Sequence, residues 1–174
     1  MSAVVVTAYN PEWPRCFAGV RAELHRVFAP LPVAVEHIGS TAVAGLAAKP
    51  VIDVLLGADS LRSIESKIPA LGERGYSYVA KYERELPLRR YFVKSAATPF
   101  RIHLHAVEQG SRLWQEHLAF RDALRADAAL RAQYQSLKLR LAEAFAADKS
   151  AYTSAKSPFI VAALAAILGN VHAG

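Results

Sequence analysis

Residues 35–56 read VEHIGSTAVAGLAAKPVIDVLL. An apolar, strand-like run breaks at Gly39-Ser40, passes through small residues and resumes around one carboxylate, Asp53. The stretch VIDVLLG over 51–57 is apolar nearly throughout, which predicts a strand buried on both faces. A glycine after a strand lets the backbone approach a ligand closely. The N–H groups that follow make an anion site where they open a helix. The Ser40 hydroxyl adds a donor, and Thr41 begins a run of small residues to Ala48 that suits a loop or short helix. Lys49 supplies a positive charge at the base of the next strand. Asp53 could then hold a divalent metal, because hard cations take carboxylate oxygens and keep several waters. A phosphate cradle beside an acid-held Mg2+ or Mn2+ is the equipment of phosphoryl or nucleotidyl transfer. The plainer alternative is an ordinary turn, with Asp53 ion-paired to Lys49 or an arginine.

Outward from this segment, Asn10-Pro11 reads as a helix start, and Trp13, Phe17, Val20, Leu24 and Val27 follow at helical spacing. Pro30 and Pro32 end that helix. Strands are expected over 33–38, 51–57, 76–82, 88–94 and 100–107, the last three as antiparallel neighbours. Ser60 caps a helix through Leu61, Ile64 and Ile68 that Pro69 should break or kink. Beyond residue 110 the pattern is helical: 112–126, 128–147 with Asp127 as N-cap, and 158–168, opened by Ser157-Pro158 and closed by Gly169. Trp114 reads as a core residue. The expected fold is α/β (α+β), a mixed sheet of about five strands backed by helices with a helical C-terminal part. Residues 1–174 form a single domain in this reading, with an α/β core over 1–110 and helices over 111–174.

Composition narrows the classes. Apolar residues make up 53% of the chain, so it is globular and not disordered. One cysteine, Cys16, excludes an internal disulfide and a cysteine-based zinc cage. The start MSAVVVTAYNPEWP lacks the build of a secretory signal. The apolar stretch Phe159 to Leu168 is too short to span a bilayer, so the expectation is a cytoplasmic protein with no membrane partner. The charge of +6, from 21 basic and 15 acidic residues, favours anionic partners. The basic residues are scattered, so a dedicated nucleic-acid tail is not favoured.

The stretch HIGSTAVAGLAAKPVIDVLL is similar to the signature segment of the GrpB family. YNPEWPRCF, RIHLHAVE, WQEHLAFRDALRADAALRAQYQSLKLRLA and DKSAYTSAKSPFI resemble further landmarks of that family in the same order, over roughly residues 9 to 168. The resemblance implies the nucleotidyltransferase superfamily, with the fold of DNA polymerase beta. Its mark is a hydrophobic residue, Gly, Gly or Ser, about a dozen residues, then Asp-x-Asp or Asp-x-Glu. Ile38-Gly39-Ser40, twelve intervening residues and Asp53-Val54-Leu55 match the spacing. The second carboxylate is missing, with Leu55 in its place, as is often so in GrpB relatives.

Residues 53 and 55 share one strand face, where two acids would bind the two metals of an in-line transfer. His103 and His105, also i and i+2, are the candidates to complete the site on a strand where the superfamily carries a third acid. They serve either as metal ligands with Asp53 or as general base and phosphate donor. The alternative is structural, with one histidine bonded in the sheet and the other exposed. Glu36 or His37 faces the same cleft, and parity does not choose. Arg89, Arg90 and Lys94 lie on one strand as candidate phosphate partners, and Arg90 and Lys94 share a face. The resemblance adds Lys138, Arg140, Tyr152 and Lys156 as residues that reach triphosphate and base. Two functions are expected. One is metal-dependent transfer of a nucleoside monophosphate from an NTP to a hydroxyl or amine acceptor. The other is a non-catalytic nucleotide- or CoA-binding module, since some GrpB relatives are fused to dephospho-CoA kinase. The acceptor, the base, the role of His172 and the oligomeric state are left open by the sequence.

Overall fold

The computed structural model describes residues 3–95 and 99–169; His172 lies outside them. Helix α1 (Glu12–Phe28) starts where Asn10 accepts twice, through Oδ1 from the Glu12 N–H at 2.9 Å and through its carbonyl from the Trp13 N–H at 3.1 Å. Pro11 has no N–H to satisfy there. Strand β1 (Ala34–Ile38) leads through a 3-10 turn (Ser40–Ala42) to β2 (Val51–Ala58). Ser60 caps α2 (Leu61–Glu65), accepting from the Ser63 N–H at 3.1 Å. Pro69 ends that helix as expected and stands in the first turn of α3 (Ile68–Glu73). Strands β3 (Ser77–Tyr78), β4 (Arg89–Lys94) and β5 (Arg101–Glu108) complete a five-stranded sheet of order β1-β2-β5-β4-β3. Among the described residues, only the β2–β5 pair is parallel. Helices α4 (Arg112–Ala126), α5 (Ala128–Ala144) and α6 (Lys149–Gly169) follow, with Asp127 capping α5 at 2.9 and 3.0 Å.

Two elements depart from expectation. Strand β3 keeps only Ser77 and Tyr78 of the expected 76–82. Beyond them the Val79 N–H still reaches the Tyr91 carbonyl at 2.9 Å, and a 3-10 turn (Ala80–Tyr82) then packs Tyr82 edge-on against Tyr91. Helix α6 begins at Lys149 instead of residue 158. Asp148 Oδ1 accepts from the Ala151 N–H at 2.9 Å and starts the helix. Pro158 removes one backbone bond from its middle without ending it. At 21 residues, α6 is long and apolar enough, by length and composition alone, to cross a membrane. Its Lys149, Tyr152 and Lys156 line the cleft described below.

Parity along the central strands divides the molecule. Ile52, Val54, Leu56, Phe92, Ile102, Leu104 and Ala106 face α1–α3 and bury against Trp13, Phe17, Leu24, Phe28, Ile64 and Leu71. Each such large apolar side chain contributes about 1.5–3 kcal/mol by leaving water. The odd-numbered face is shared between a helix and an opening. At one end α4 covers Ile38, Leu55 and Val107 with Leu113, Trp114 and Leu118. Gly57 is required beneath Trp114, since a Cβ there would lie 2.7 Å from the indole. At the other end the sheet lies open around Asp53.

Candidate functional site

Asp53 stands on the open half of β2, level with His103 on β5. Gly39 brings the β1 turn against it. With φ of 72° the glycine occupies the left-handed region, and a Cβ would fall 2.7 Å from Asp53 Oδ2. Both demands, conformation and space, favour glycine there. The other carboxylate oxygen, Oδ1, lies 3.3 Å from His105 Nε2 and 3.7 Å from His103 Nδ1. The Asp53 side chain keeps 30% of its surface open to the cleft. Burial works to raise the Asp53 pKa, but the hydrogen bond to His105 and the potential of His105, His103 and Lys156 outweigh it and hold the carboxyl below its usual range. Burial pushes His103 down to about 4 against the pull of Asp53. It does the same to His117 of α4, whose ring lies 5.6 Å from that of His105.

Three lysines form the opposite wall. Lys138 of α5 is almost fully buried. It donates to Ser40 Oγ at 2.9 Å and to the Ala47 carbonyl. Lys49 and Lys156 flank the Tyr152 ring at 5.0 and 4.6 Å. Burial, then the charges of Lys156 and Lys49, lowers the Lys138 pKa to about 7. Burial and Lys49 lower Lys156 to about 8, with Asp53 opposing. Burial and Lys149 likewise lower Lys49, again against Asp53. The space between this wall and the sheet is a cleft of about 1290 Å³. That exceeds the roughly 300–1,000 Å³ of a typical small-ligand pocket.

The structure brings together Gly39, Ser40, Lys49, Asp53, His103, His105, Lys138, Tyr152 and Lys156 from the sequence-predicted set. Thr41 lies at the cleft, but its hydroxyl is occupied, donating to the Val51 carbonyl at 3.0 Å beside His37 Nε2 at the same distance. Arg90 and Lys94 are not in the cleft. Tyr91 is level with His105, and Val93 with His103, so the odd residues of β4 share the histidine face and Arg90 and Lys94 point to the helices behind. There Arg90 pairs with Glu65 at 2.7 Å and Lys94 with Glu23 at 2.8 Å. Neither Glu36 nor His37 joins the site. Glu36 pairs with Arg121 at 2.6 Å, and His37 stacks on Phe17 in the core.

Sequence reasoning missed Tyr91 and His117, and of the two neighbouring arginines it grouped Arg90, not Arg89, with Lys94. Arg89 reaches His105 Nδ1 at 3.2 Å and lies over the Tyr91 ring. Tyr91 in turn packs against both imidazoles. The alternation of FRIHLHAV identifies the histidine face of β5, but LRRYFVK is mixed on both faces and gives no such signal.

Among the described residues, no group of three or more His, Cys, Asp or Glu side chains is arranged to hold a metal ion. The chemistry present suits one ion on Asp53 that keeps water and phosphate oxygens as its other ligands, as Mg2+ and Mn2+ do. It does not suit a two-metal pair. The position of the second acid holds Leu55, which is 0% exposed beneath α4.

Comparison with known proteins places this architecture. The crystal structure of a conserved protein GrpB from Enterococcus faecalis superposes with a TM-score of 0.86 at 32% identity, covering 96% of this chain and 99% of that one. Terminal uridylyl transferase 4 from Trypanosoma brucei (TM-score 0.58, 12% identity, 95% and 56% covered) shares the fold. So does the Cid1 poly(U) polymerase (0.53, 14%, 78% and 42%). The likeness to these two enzymes establishes a nucleotidyltransferase-like fold. In sequence, the glutamate-rich protein GrpB of Alkalihalophilus pseudofirmus is 32% identical over 161 residues, 90% of this chain and 91% of its own. The UPF0157 protein YqkA of Bacillus subtilis is 34% identical over 157 residues, and this chain spans 45% of its length. A dephospho-CoA kinase of Mycolicibacterium paratuberculosis is 27% identical over 172 residues, 86% of this chain and 42% of that protein. The family model described as GrpB protein matches residues 3–166, and the chain belongs to the GrpB family.

Proposed function

We propose that the cleft binds a nucleoside triphosphate and transfers its nucleoside monophosphate to a hydroxyl or amine acceptor, releasing pyrophosphate. The observation that carries this reading is the wall of Lys49, Lys138 and Lys156. Burial lowers the pKa of all three, and the charge of Lys49 adds to the lowering of Lys138 and Lys156, in a cleft shared with the Asp53 carboxylate. Cations held close without a matching anion are poised for a polyphosphate. Lys49 and Lys156 would take its oxygens, and Lys138 keeps Ser40 turned toward them. Asp53 would anchor one divalent cation, which supplies charge to the phosphate oxygens when bound. Tyr91, Arg89 and the β3–β4 end of the cleft leave room for the acceptor. As the acceptor oxygen or nitrogen bonds to the α-phosphorus, the bond to the bridging oxygen breaks and the acceptor proton passes to solvent. The chain's own contribution is positioning and charge.

The test is calorimetry with ATP and with pyrophosphate in Mg2+, then pyrophosphate release across the four NTPs and a broad acceptor set. Binding lost in Asp53→Asn and turnover above that variant support transfer. No affinity for any polyphosphate refutes the reading.

One observation favours a second reading, binding without transfer. Leu55 seals the position where a second acid would serve a second metal. The match to a dephospho-CoA kinase makes CoA or its precursor the ligand to try first. Tight binding with no turnover selects this reading.

A further inference from the structure

His105 lies between a donor and an acceptor. Its Nδ1 is 3.2 Å from an Arg89 guanidinium nitrogen, and its Nε2 is 3.3 Å from Asp53 Oδ1. A guanidinium offers only N–H groups and does not deprotonate in proteins. For Arg89 to bond to Nδ1, that nitrogen must present its lone pair. The single proton of the neutral ring then sits on Nε2, where it meets the carboxylate. A proton on Nδ1 would face the guanidinium N–H, donor against donor. The charged ring, with both nitrogens protonated, meets the same conflict.

We infer that Arg89 is a positioning residue that holds His105 with its proton on Nε2, so that His105 serves Asp53 as a fixed hydrogen-bond donor and not as a metal ligand. Neither ring nitrogen is then free for a cation. Nδ1 is committed to Arg89, and Nε2 carries a proton. The other groups facing the ring, Tyr91 from β4 and His117 from α4, leave this pattern unchanged: the tyrosine stays protonated, its pKa raised by burial and by Asp53, and His117 stays neutral. Oδ1 of Asp53 is thereby held by His105, while Oδ2 lies beside Gly39, close enough that a Cβ there would fall 2.7 Å from it. The plane of the carboxylate is set before any ligand arrives. His103 differs. At 3.7 Å from the same oxygen it lies outside hydrogen-bond range, and it is the imidazole left for a ligand. A strand position that could have brought more negative charge instead holds a clamp that aims the charge already there.

The tautomer stands on geometry alone; its value to the chemistry rests on the proposed cation at Asp53. Two measurements separate the two. The first is 15N correlation spectroscopy of the imidazole nitrogens at pH 7 in the ligand-free protein and in Arg89→Met. The expected wild-type pattern has an unprotonated Nδ1 and a protonated Nε2 at His105, lost or mixed in the variant. A proton on Nδ1, two protonated nitrogens, or a pattern unmoved by Arg89→Met overturns the inference. If that variant fails to fold, the wild-type spectrum decides alone.

The second measurement is Mg2+-dependent pyrophosphate affinity in His105→Gln, whose amide can donate to Asp53 and accept from Arg89, and in His105→Leu. A positioning role predicts affinity within about twofold for the glutamine. For the leucine it predicts a loss of roughly tenfold or more, the scale of one hydrogen bond to a charged group. Equal losses in both overturn it. Absence of pyrophosphate binding in the wild type refutes the proposed function and leaves the spectroscopic result to judge the tautomer.

Discussion

Replacing Leu55 with aspartate restores the missing carboxylate of the superfamily pattern, and the structure predicts that it damages the protein. Leu55 is fully buried between Ile38 and Val107 beneath Leu113, Trp114 and Leu118. Removing its side chain forfeits about 1.5–3 kcal/mol of apolar burial. The introduced carboxyl meets no water and no free donor, because His105, its register neighbour, is already bonded to Asp53 and Arg89. An unsatisfied buried polar group costs about 1–3 kcal/mol more, and a charged one more still. A total of about 2.5–6 kcal/mol is a large part of the roughly 5–15 kcal/mol that holds a domain together. The sign with pH is fixed. Burial and the nearby Asp53 raise the folded pKa of the introduced acid above its unfolded value near 3.9. The folded state therefore binds more protons, and the variant loses stability as pH rises above about 4. Urea midpoints for wild type, Leu55→Asp and Leu55→Asn at pH 5 and pH 8 give the measurement. The asparagine should lose stability equally at both pH values, and the aspartate more at pH 8. An aspartate variant within about 1 kcal/mol of wild type at pH 8, or one that gains metal-dependent turnover, would show that the position is open to solvent and the reasoning wrong.

Gly39→Ala should cost about 1–3 kcal/mol through its left-handed backbone and abolish pyrophosphate binding by displacing Asp53; a urea midpoint and calorimetry check both effects. Ligand-free Lys138 and Lys156, lowered to about 7 and 8, should regain protons when an anion arrives, with an uptake of roughly one proton per ligand at pH 7.5. Calorimetry in two buffers of different ionisation enthalpy reads this uptake directly. Because the same lysines titrate near 10.4 when unfolded, the unfolded chain binds more protons from about pH 7 upward. The ligand-free protein should therefore gain thermal stability between pH 7 and 9, and a flat or falling Tm contradicts the depressed values. Arg90→Gln breaks a two-pronged pair with Glu65 on the far face and should leave polyphosphate affinity within about twofold, at a stability cost of about 1–3 kcal/mol because the guanidinium is largely buried.

The fold was legible because the signals that define it are local and strong. The apolar run of β2, the alternation Ile102-His103-Leu104-His105 and the caps at Ser60 and Asp127 each state their element within a few residues. The site was half legible. Gly39, Ser40 and Asp53 announce themselves by chemistry unsuited to a buried strand. The faces of β4 did not, since Arg90 and Lys94 look like ligands until pairing with β5 turns them toward Glu65 and Glu23. Register is a property of two strands and cannot be read from one. The start of α6 was hidden for a related reason. Ser157-Pro158 has the form of a helix beginning, yet Asp148 had already capped the helix.

Segment 40–47 is fastened from far along the chain. Arg125 donates twice to the Ala42 carbonyl at 2.9 and 2.7 Å, Gln135 accepts from the Ala47 N–H at 2.9 Å, and Lys138 ties Ser40 to the Ala47 carbonyl. Val43 and Leu46 pack on Leu124 and Tyr134 beneath. The signature turn near the N-terminus is thus moulded by helices that follow it by some 80 residues or more. Grafting that turn onto another scaffold without α4 and α5 would transplant the letters and leave the shape behind. Exchanging those two helices between relatives would retune the turn while leaving its own sequence untouched.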